Sequence, residues 1–329
     1  MKICVVGAGA IGGLLGARFV LGGESEVTLI DRGERLEALS AGLTLVEEDG
    51  NEAAVTGYVA TGDFDAPGPQ DVVVLATKAH EIESVAPRMP ALFGPDTVVV
   101  TIQNGIPWWY FRRNPGAFEG RRIPSLDPDG VIEEHLPADR ILGCVAYPAA
   151  VVLRPGVVRR VEGTYFPIGE LDGSQSDRVQ GVADLLVRSG FKTRILHDIR
   201  AEIWLKAWGN LSFNPISALT GATMRDIARA PATRDLAAQM MTEASAICDA
   251  LGVTVRKTVE QRIAGAENVG AHKTSMLQDV ESGQRLEHEA LIGAVAELGR
   301  WTNVPTPAID AVNACVVLLD ETIQAGGAA

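Results

Sequence analysis

The chain has 329 residues, 47% of them hydrophobic and 22% charged, with 29 Lys and Arg against 42 Asp and Glu. That composition excludes a disordered chain, and the length suits two domains. A net charge of −13 disfavours a non-specific nucleic-acid binder or an anionic-membrane binder, since both partners are negative. Any anionic ligand must be held by a few well-placed cations.

The start of the chain, with Lys2 before an apolar run, has the outline of a signal peptide. Its glycines fit a strand, a loop and a helix better. Residues 2–6 read as a strand buried on both faces, 10–22 as a helix and 26–32 as a second strand, which makes a βαβ unit. Strands are predicted over 55–60, 71–78, 97–105, 141–152, 157–163 and 191–196, with helices around 80–92 and 177–189. This is a doubly wound α/β, Rossmann-type domain over residues 1–197. The character changes near His197. Asp198 is a candidate N-cap for a helix through Phe213, and further helices are predicted over 231–251, 255–267, 286–302 and after Pro305. We therefore expect an all-α domain over 198–329. The Pro- and Gly-rich stretch 106–140 reads as an elaborated loop or lid. No stretch is apolar enough for a membrane span, and Cys4, Cys144, Cys248 and Cys315 are far apart in apolar surroundings. That usage predicts free core thiols, no metal site and a cytoplasmic protein.

The segment Gly7-Ala8-Gly9-Ala10-Ile11-Gly12 is a GxGxxG loop between a strand and a helix, the context in which it binds a dinucleotide pyrophosphate. Asp31 closes the next strand, where an acidic residue favours NAD. Arg32 follows it and favours the 2′-phosphate of NADP. NADP is the preferred expectation, and a merely solvated Arg32 is the alternative. Lys78 follows the buried strand at 71–78, at the edge that faces a cofactor. It is either a phosphate or ribose ligand or a surface lysine at a helix start. Asn104, in Gln103-Asn104-Gly105, is either a nicotinamide-ribose or substrate ligand or a turn residue.

Lys206, Asn210 and Asn214 are spaced i, i+4, i+8 and line one helix face within about 80°. A cation with two amides is what a 2-oxo acid needs for its carboxylate, its oxygens and the proton that completes reduction. A solvated polar face is the bland alternative. Thr274 to Asp279 and Arg285 to Glu289 form a second cluster. A break at Gly283 is expected to bring Ser275 and Glu287 to one site, where an unbroken helix would hold them about 18 Å apart.

Together GAGAIG, Thr77-Lys78, Gln103-Asn104-Gly105, the Lys206-to-Pro215 run, Ser275 to Asp279 and Arg285 to Glu289 resemble the ketopantoate reductase (2-dehydropantoate 2-reductase) family over nearly the whole chain. The resemblance implies a Rossmann domain, a helical domain and an active site between them. It implies NADPH-dependent reduction of ketopantoate to D-pantoate on the route to pantothenate. It further implies Lys206 as general acid and substrate ligand, with Asn210 and Asn214 as substrate ligands and Ser275 near the substrate carboxylate. Glu287 would meet the cofactor ribose and help place Lys206. Gly7, Ala8, Gly9, Ala10, Ile11, Gly12, Arg32, Lys78, Asn104 and Ala149 would contact NADP(H). Two features depart from the family pattern: the stretch 106–140, with Trp108 and Trp109 as a lid, an oligomer surface or plain packing, and the segment 220–226, which lacks an Asn that some members use on substrate. A sister reductase of another 2-oxo acid or an imine is one rival. Imine reduction would favour a His–Asp pair, and only His272 and His288 lie near these motifs. A non-catalytic NADP sensor is the other. The apolar run at 311–319 is a candidate homodimer seam.

Overall fold

The computed structural model describes residues 1–326, which divide into two compact units. The first comprises Met1–Gln103, Phe111–Arg122 and Asp129–Ile199; the second comprises Asn104–Tyr110, Ile123–Pro128 and the chain from Arg200 onward.

The first unit carries eleven strands in two sheets: β1 (Lys2–Val6), β2 (Glu26–Ile30), β3 (Leu43–Val46), β4 (Glu52–Val55), β5 (Tyr58–Thr61), β6 (Gln70–Leu75), β7 (Phe93–Thr101), β8 (Ile141–Cys144), β9 (Ala149–Arg154), β10 (Val157–Glu162) and β11 (Ile168–Glu170). The main sheet has the order β5-β2-β1-β6-β7-β8-β11. Its strands are parallel except β11, which runs antiparallel to β8. The runs ICVV, VTLI and VVVL are almost wholly buried, as expected of strands covered on both faces. Strand order reverses at β1 and β6, so the crevice at their carboxyl ends is the ligand-binding position of this topology.

Two predicted strands divide. The expected strand at 55–60 is interrupted at Gly57, whose φ of +94° belongs to a turn, so β4 and β5 enter different sheets. The expected strand at 141–152 likewise splits into β8 and β9. The second sheet, β4-β3-β10-β9, was not apparent from the sequence. It covers the helix Ala10–Leu21, where Gly13 lies under the Val158 side chain. Residues 191–196 make only isolated bridges to Tyr165 and Ile168, because the intervening Pro167 has no N–H to extend a ladder. The expected helix at 80–92 is three short pieces, the last of which contains Pro87 and Pro90, neither of which can donate an α-helical hydrogen bond. Of the four thiols, Cys315 departs from expectation. It is exposed, while Cys4, Cys144 and Cys248 are buried.

The second unit is helical. Its long helices are Ile199–Thr220, Pro231–Ala250, Val259–Val269 and Pro307–Gly326. The expected helix at 286–302 begins with a π-helical segment, Glu289–Gly293, before Ala294–Thr302. Two segments of the predicted lid belong to this unit. Tyr110 is its anchor: Arg200 Nε donates to the Tyr110 carbonyl at 2.7 Å, and Trp204 Nε1 donates to its hydroxyl at 2.7 Å. Further on, Ser125 N donates to the buried Glu297 carboxylate at 3.0 Å. Trp108 and Trp109 are 6% and 2% exposed, so in the single chain they are packing residues.

Candidate active site

In the first unit, Gly7 to Gly12 lies between β1 and its helix. Gly7 has φ +90°, and an added Cβ would stand 2.8 Å from Thr77 N. A Cβ on Gly12 would overlap the Gly7 carbonyl. These two glycines serve the turn and the close packing of helix on strand. Gly9 differs. A Cβ there would meet only the Arg35 guanidinium, at 3.6 Å. The loop is therefore open at its second glycine, where a pyrophosphate approaches the backbone.

Asp31 is turned toward the loop. Its Oδ2 accepts from Ala8 N at 2.8 Å and its Oδ1 from Arg32 N at 2.9 Å. Both carboxylate oxygens thus hold backbone. Arg35 Nη1 lies 3.7 Å from the same carboxylate, which holds this second guanidinium over Gly9. Arg32 extends outward, 77% exposed at its side chain, with Nη2 donating to Glu81 Oε1 at 3.0 Å. The other Glu81 oxygen accepts from Lys78 N at 3.3 Å. Gln103 ties the strand ends together, its Nε2 donating to the carbonyls of Leu75 and Thr77 at 2.7 and 3.1 Å. Arg35, Glu81 and the structural use of Asp31 were missed in the sequence. Only the four-residue spacing of Asp31 and Arg35 on a helix start offered a signal. Ala149 opens β9 in the second sheet, where it pairs with Glu162.

In the second unit, Lys206, Asn210 and Asn214 share a face of the helix Ile199–Thr220. Lys206 and Asn210 are half-buried and Asn214 is buried. Lys206 Nζ donates to Asn104 Oδ1 at 2.6 Å, which unites residues 102 positions apart. The loop carrying Asn104 is seated by its neighbours. Gly105 has φ +83°, a Cβ on it would stand 2.5 Å from the Ala290 carbonyl carbon, and Ile106 N donates to the Ala290 oxygen at 2.9 Å. The π-helical segment that presents this carbonyl begins two residues after Glu287, which is 9% exposed. At the far end of the stripe, Asn214 Nδ2 donates to Ser275 Oγ at 3.5 Å, and the chain breaks at Gly283 with φ +64°. The second unit therefore brings Asn104, Lys206, Asn214 and Ser275 into two contacting pairs along one helix face. A cation among amides and a hydroxyl can bind an oxyanion and hand it a proton. Sequence reasoning also passed over Gly209, buried beside the stripe on the same helix, and the Arg262 guanidinium packed against it.

Comparison with known proteins places the whole chain. The family description "Ketopantoate reductase PanE/ApbA" matches residues 3–173, and "Ketopantoate reductase PanE/ApbA C terminal" matches residues 198–319. The chain is 48% identical over 317 residues to a 2-dehydropantoate 2-reductase of Mesorhizobium japonicum, across 96% of this chain and 97% of that one. A crystal structure provisionally described as a ketopantoate reductase from Ralstonia solanacearum MolK2 aligns with a TM-score of 0.93 at 40% identity, covering 98% of each chain. A D-mandelate dehydrogenase bound to NADH and anilino(oxo)acetate shares the fold, with a TM-score of 0.84 at 22% identity over 98% of this chain and 100% of that one.

Proposed function

This chain belongs to the ketopantoate reductase family, and we propose that it reduces 2-dehydropantoate to D-pantoate with NADPH, with Lys206 as the proton donor. The observation that carries the assignment of Lys206 is its 2.6 Å hydrogen bond to Asn104, within a stripe of substrate-type donors. The reduced nicotinamide supplies the hydride when bound. Lys206 holds the keto oxygen, opposes the negative charge that develops on it and transfers a proton from Nζ to that oxygen. Asn104 aims the ammonium. Asn210, Asn214 and Ser275 bind the substrate, with Ser275 toward the carboxylate. Glu287 helps place the ammonium and contacts the cofactor ribose.

The residues of the glycine loop fit a dinucleotide, since Gly9 leaves the backbone open to a phosphate. NADP over NAD is supported by the engagement of Asp31. A carboxylate that already accepts from Ala8 and Arg32 is poorly placed to accept from a ribose 2′-hydroxyl, while Arg32 and Lys78 supply cations for a 2′-phosphate. Ala149 completes the cofactor contacts in this reading. We retain the helical domain from residue 198 as the substrate domain, with the loop carrying Asn104 as part of it. The cytoplasm is the proposed compartment, since all four thiols are free. Among the described residues no helix is long and apolar enough to cross a membrane. The outward face of the last helix, where Cys315 is exposed and Leu318 is 63% exposed, is the proposed homodimer seam.

Absorbance at 340 nm tests the whole reading, with a panel of 2-oxo acids offered to NADPH and NADH in parallel. We expect fastest turnover with 2-dehydropantoate and NADPH. A faster 2-oxo acid of another kind would make this a sister reductase, and no turnover on the panel would favour a sensor. In Lys206→Ala, kcat falls by about 10²-fold or more, in the range of a lost general acid, while the NADPH Kd measured by fluorescence stays within about twofold. An unchanged kcat would refute the role of Lys206. Arg32→Ala raises KM for NADPH about tenfold or more and leaves KM for NADH nearly unchanged, as expected for one lost charge-assisted contact.

A further inference from the structure

Arg35 stands in the first turn of the helix Gly33–Ala41, where a cation opposes the positive end of the helix dipole. Its partner is Asp31, whose Oδ2 lies 3.7 Å from Arg35 Nη1. That distance is too long for a hydrogen bond. The Arg35 side chain is 52% exposed, and an ion pair so open to water contributes little to stability. Among the described residues its guanidinium has no other ionic partner. Folding therefore gives no reason for an arginine at this position, and its donors remain uncommitted. Arg32 differs, since its Nη2 donates to Glu81 at 3.0 Å.

The guanidinium borders the open point of the glycine loop. A Cβ built on Gly9 would meet one atom, Arg35 Nη1, at 3.6 Å. Gly9 is the second glycine of the motif, where a pyrophosphate approaches the backbone. The space beside Gly9 is thus bounded by bare loop on one side and by a cation on the other. Asp31 arranges both. Its Oδ2 accepts from Ala8 N at 2.8 Å, which fixes the residue before Gly9, and the same oxygen draws Arg35 over the loop. A pyrophosphate brings further negative charge to a chain of net charge −13, beside an Asp31 carboxylate that is 7% exposed. Backbone N–H groups donate hydrogen bonds to it but carry no net charge. Arg32 and Lys78 are assigned to the 2′-phosphate, which leaves the pyrophosphate without a cation. The planar fork of an arginine suits phosphate oxygens.

We propose that Arg35 is the cation that clamps the cofactor pyrophosphate onto the glycine loop. The assignment rests on the dinucleotide reading above and adds a ligand to it. The test is the Kd of NADPH, NADH and ADP-ribose, each measured by titration calorimetry. All three carry the pyrophosphate, and only NADPH carries the 2′-phosphate. In Arg35→Met every Kd rises about tenfold, the size of one lost charge-assisted hydrogen bond, and by the same factor for all three. Arg32→Ala is the contrast, since it weakens NADPH alone. Arg35→Lys restores part of the affinity, as a point charge without the fork. Unliganded Arg35→Met keeps the wild-type melting temperature, as expected of an exposed side chain. A loss confined to NADPH would overturn the assignment and move Arg35 to the 2′-phosphate. Unchanged affinities in Arg35→Met, with wild-type binding intact, would overturn it alone and leave Arg35 as a surface partner of Asp31. If the wild-type protein binds none of the three, the dinucleotide reading itself fails.

Discussion

Asn104 and Lys206 illustrate what one hydrogen bond accomplishes. A lysine carries four rotatable bonds and a compact charge, so an unguided ammonium samples many positions. The Asn104 carbonyl, held by a loop docked on Ala290, selects one of them. Asn104→Ala should therefore lower kcat about 10- to 100-fold through misplacement of the ammonium. Because the two side chains act as a unit, the double variant with Lys206→Ala should be no slower than Lys206→Ala alone. Steady-state kinetics on the four proteins provide the check, and additive losses would separate the two residues. Asp31 offers a similar lesson. Its position at the end of β2 suggested a ribose ligand, yet its two oxygens bind the amides of Ala8 and Arg32. Residue type and spacing were legible there, but the direction of the carboxylate was not, since that depends on which donors the folded loop presents.

At the scale of elements, the reading from sequence succeeded where periodicity is long and failed where a short device intervenes. The runs that became β1, β2, β6 and β7 are continuous apolar stretches bounded by turn residues, and such strands announce themselves. The break at Gly57, the prolines at 87 and 90 and the π-helical segment at 289–293 each alter a path by one or two residues. Their effects on register and direction emerge only against neighbouring elements. The tie between β11 and the helix Asp177–Arg188 yields a prediction. Glu170 is 2% exposed and receives Arg178 Nη2 at 2.6 Å and Ser176 Oγ at 2.5 Å. Burial alone would raise the carboxyl pKa, but the hydrogen bonds of Arg178 and Ser176 and the charge of Arg178 outweigh it and leave it below the ordinary value. The folded pKa is depressed, so the stabilisation is present above the ordinary carboxylate range and is lost as pH falls through the lowered value. Glu170→Gln should destabilise the protein by about 1.5–3 kcal/mol at neutral pH, the size of a lost charged hydrogen bond to the half-buried Arg178. Urea denaturation should show the gap from wild type closing as the pH is lowered through and below the ordinary carboxylate range. A gap independent of pH would mean that packing, not ionisation, is responsible.

For the molecule as a whole, charge and thiol reactivity are the accessible properties. A chain of net charge −13 carries Arg32 and Arg35 beside the glycine loop of the first unit and Lys206 on the amide-bearing helix face of the second. The thiols report on the assembled surface. Burial pushes Cys4 and Cys248 each up to about 12, and Cys144 is buried as well, whereas Cys315 is exposed. A colorimetric thiol reagent at neutral pH should find one fast thiol in dilute native protein and four after denaturation. Protection of that thiol as protein concentration rises would place the homodimer seam on the last helix. Equal reactivity at all concentrations would remove the seam from that face.

By itself the sequence determined the glycine loop, the parallel strands that carry it, the change to helices near residue 198 and the Lys206–Asn210–Asn214 stripe. These features are local, because they follow from chain stiffness, apolar period and spacing within a single element. Only the tertiary structure decided that Asn104 meets Lys206, that Asp31 faces the backbone, that β3, β4, β9 and β10 form a sheet of their own and that Arg262 packs over Gly209. Each of these joins residues distant along the chain. Their meeting is set by which surfaces bury together and which donors find acceptors once water is excluded, and no spacing along one strand or helix encodes that.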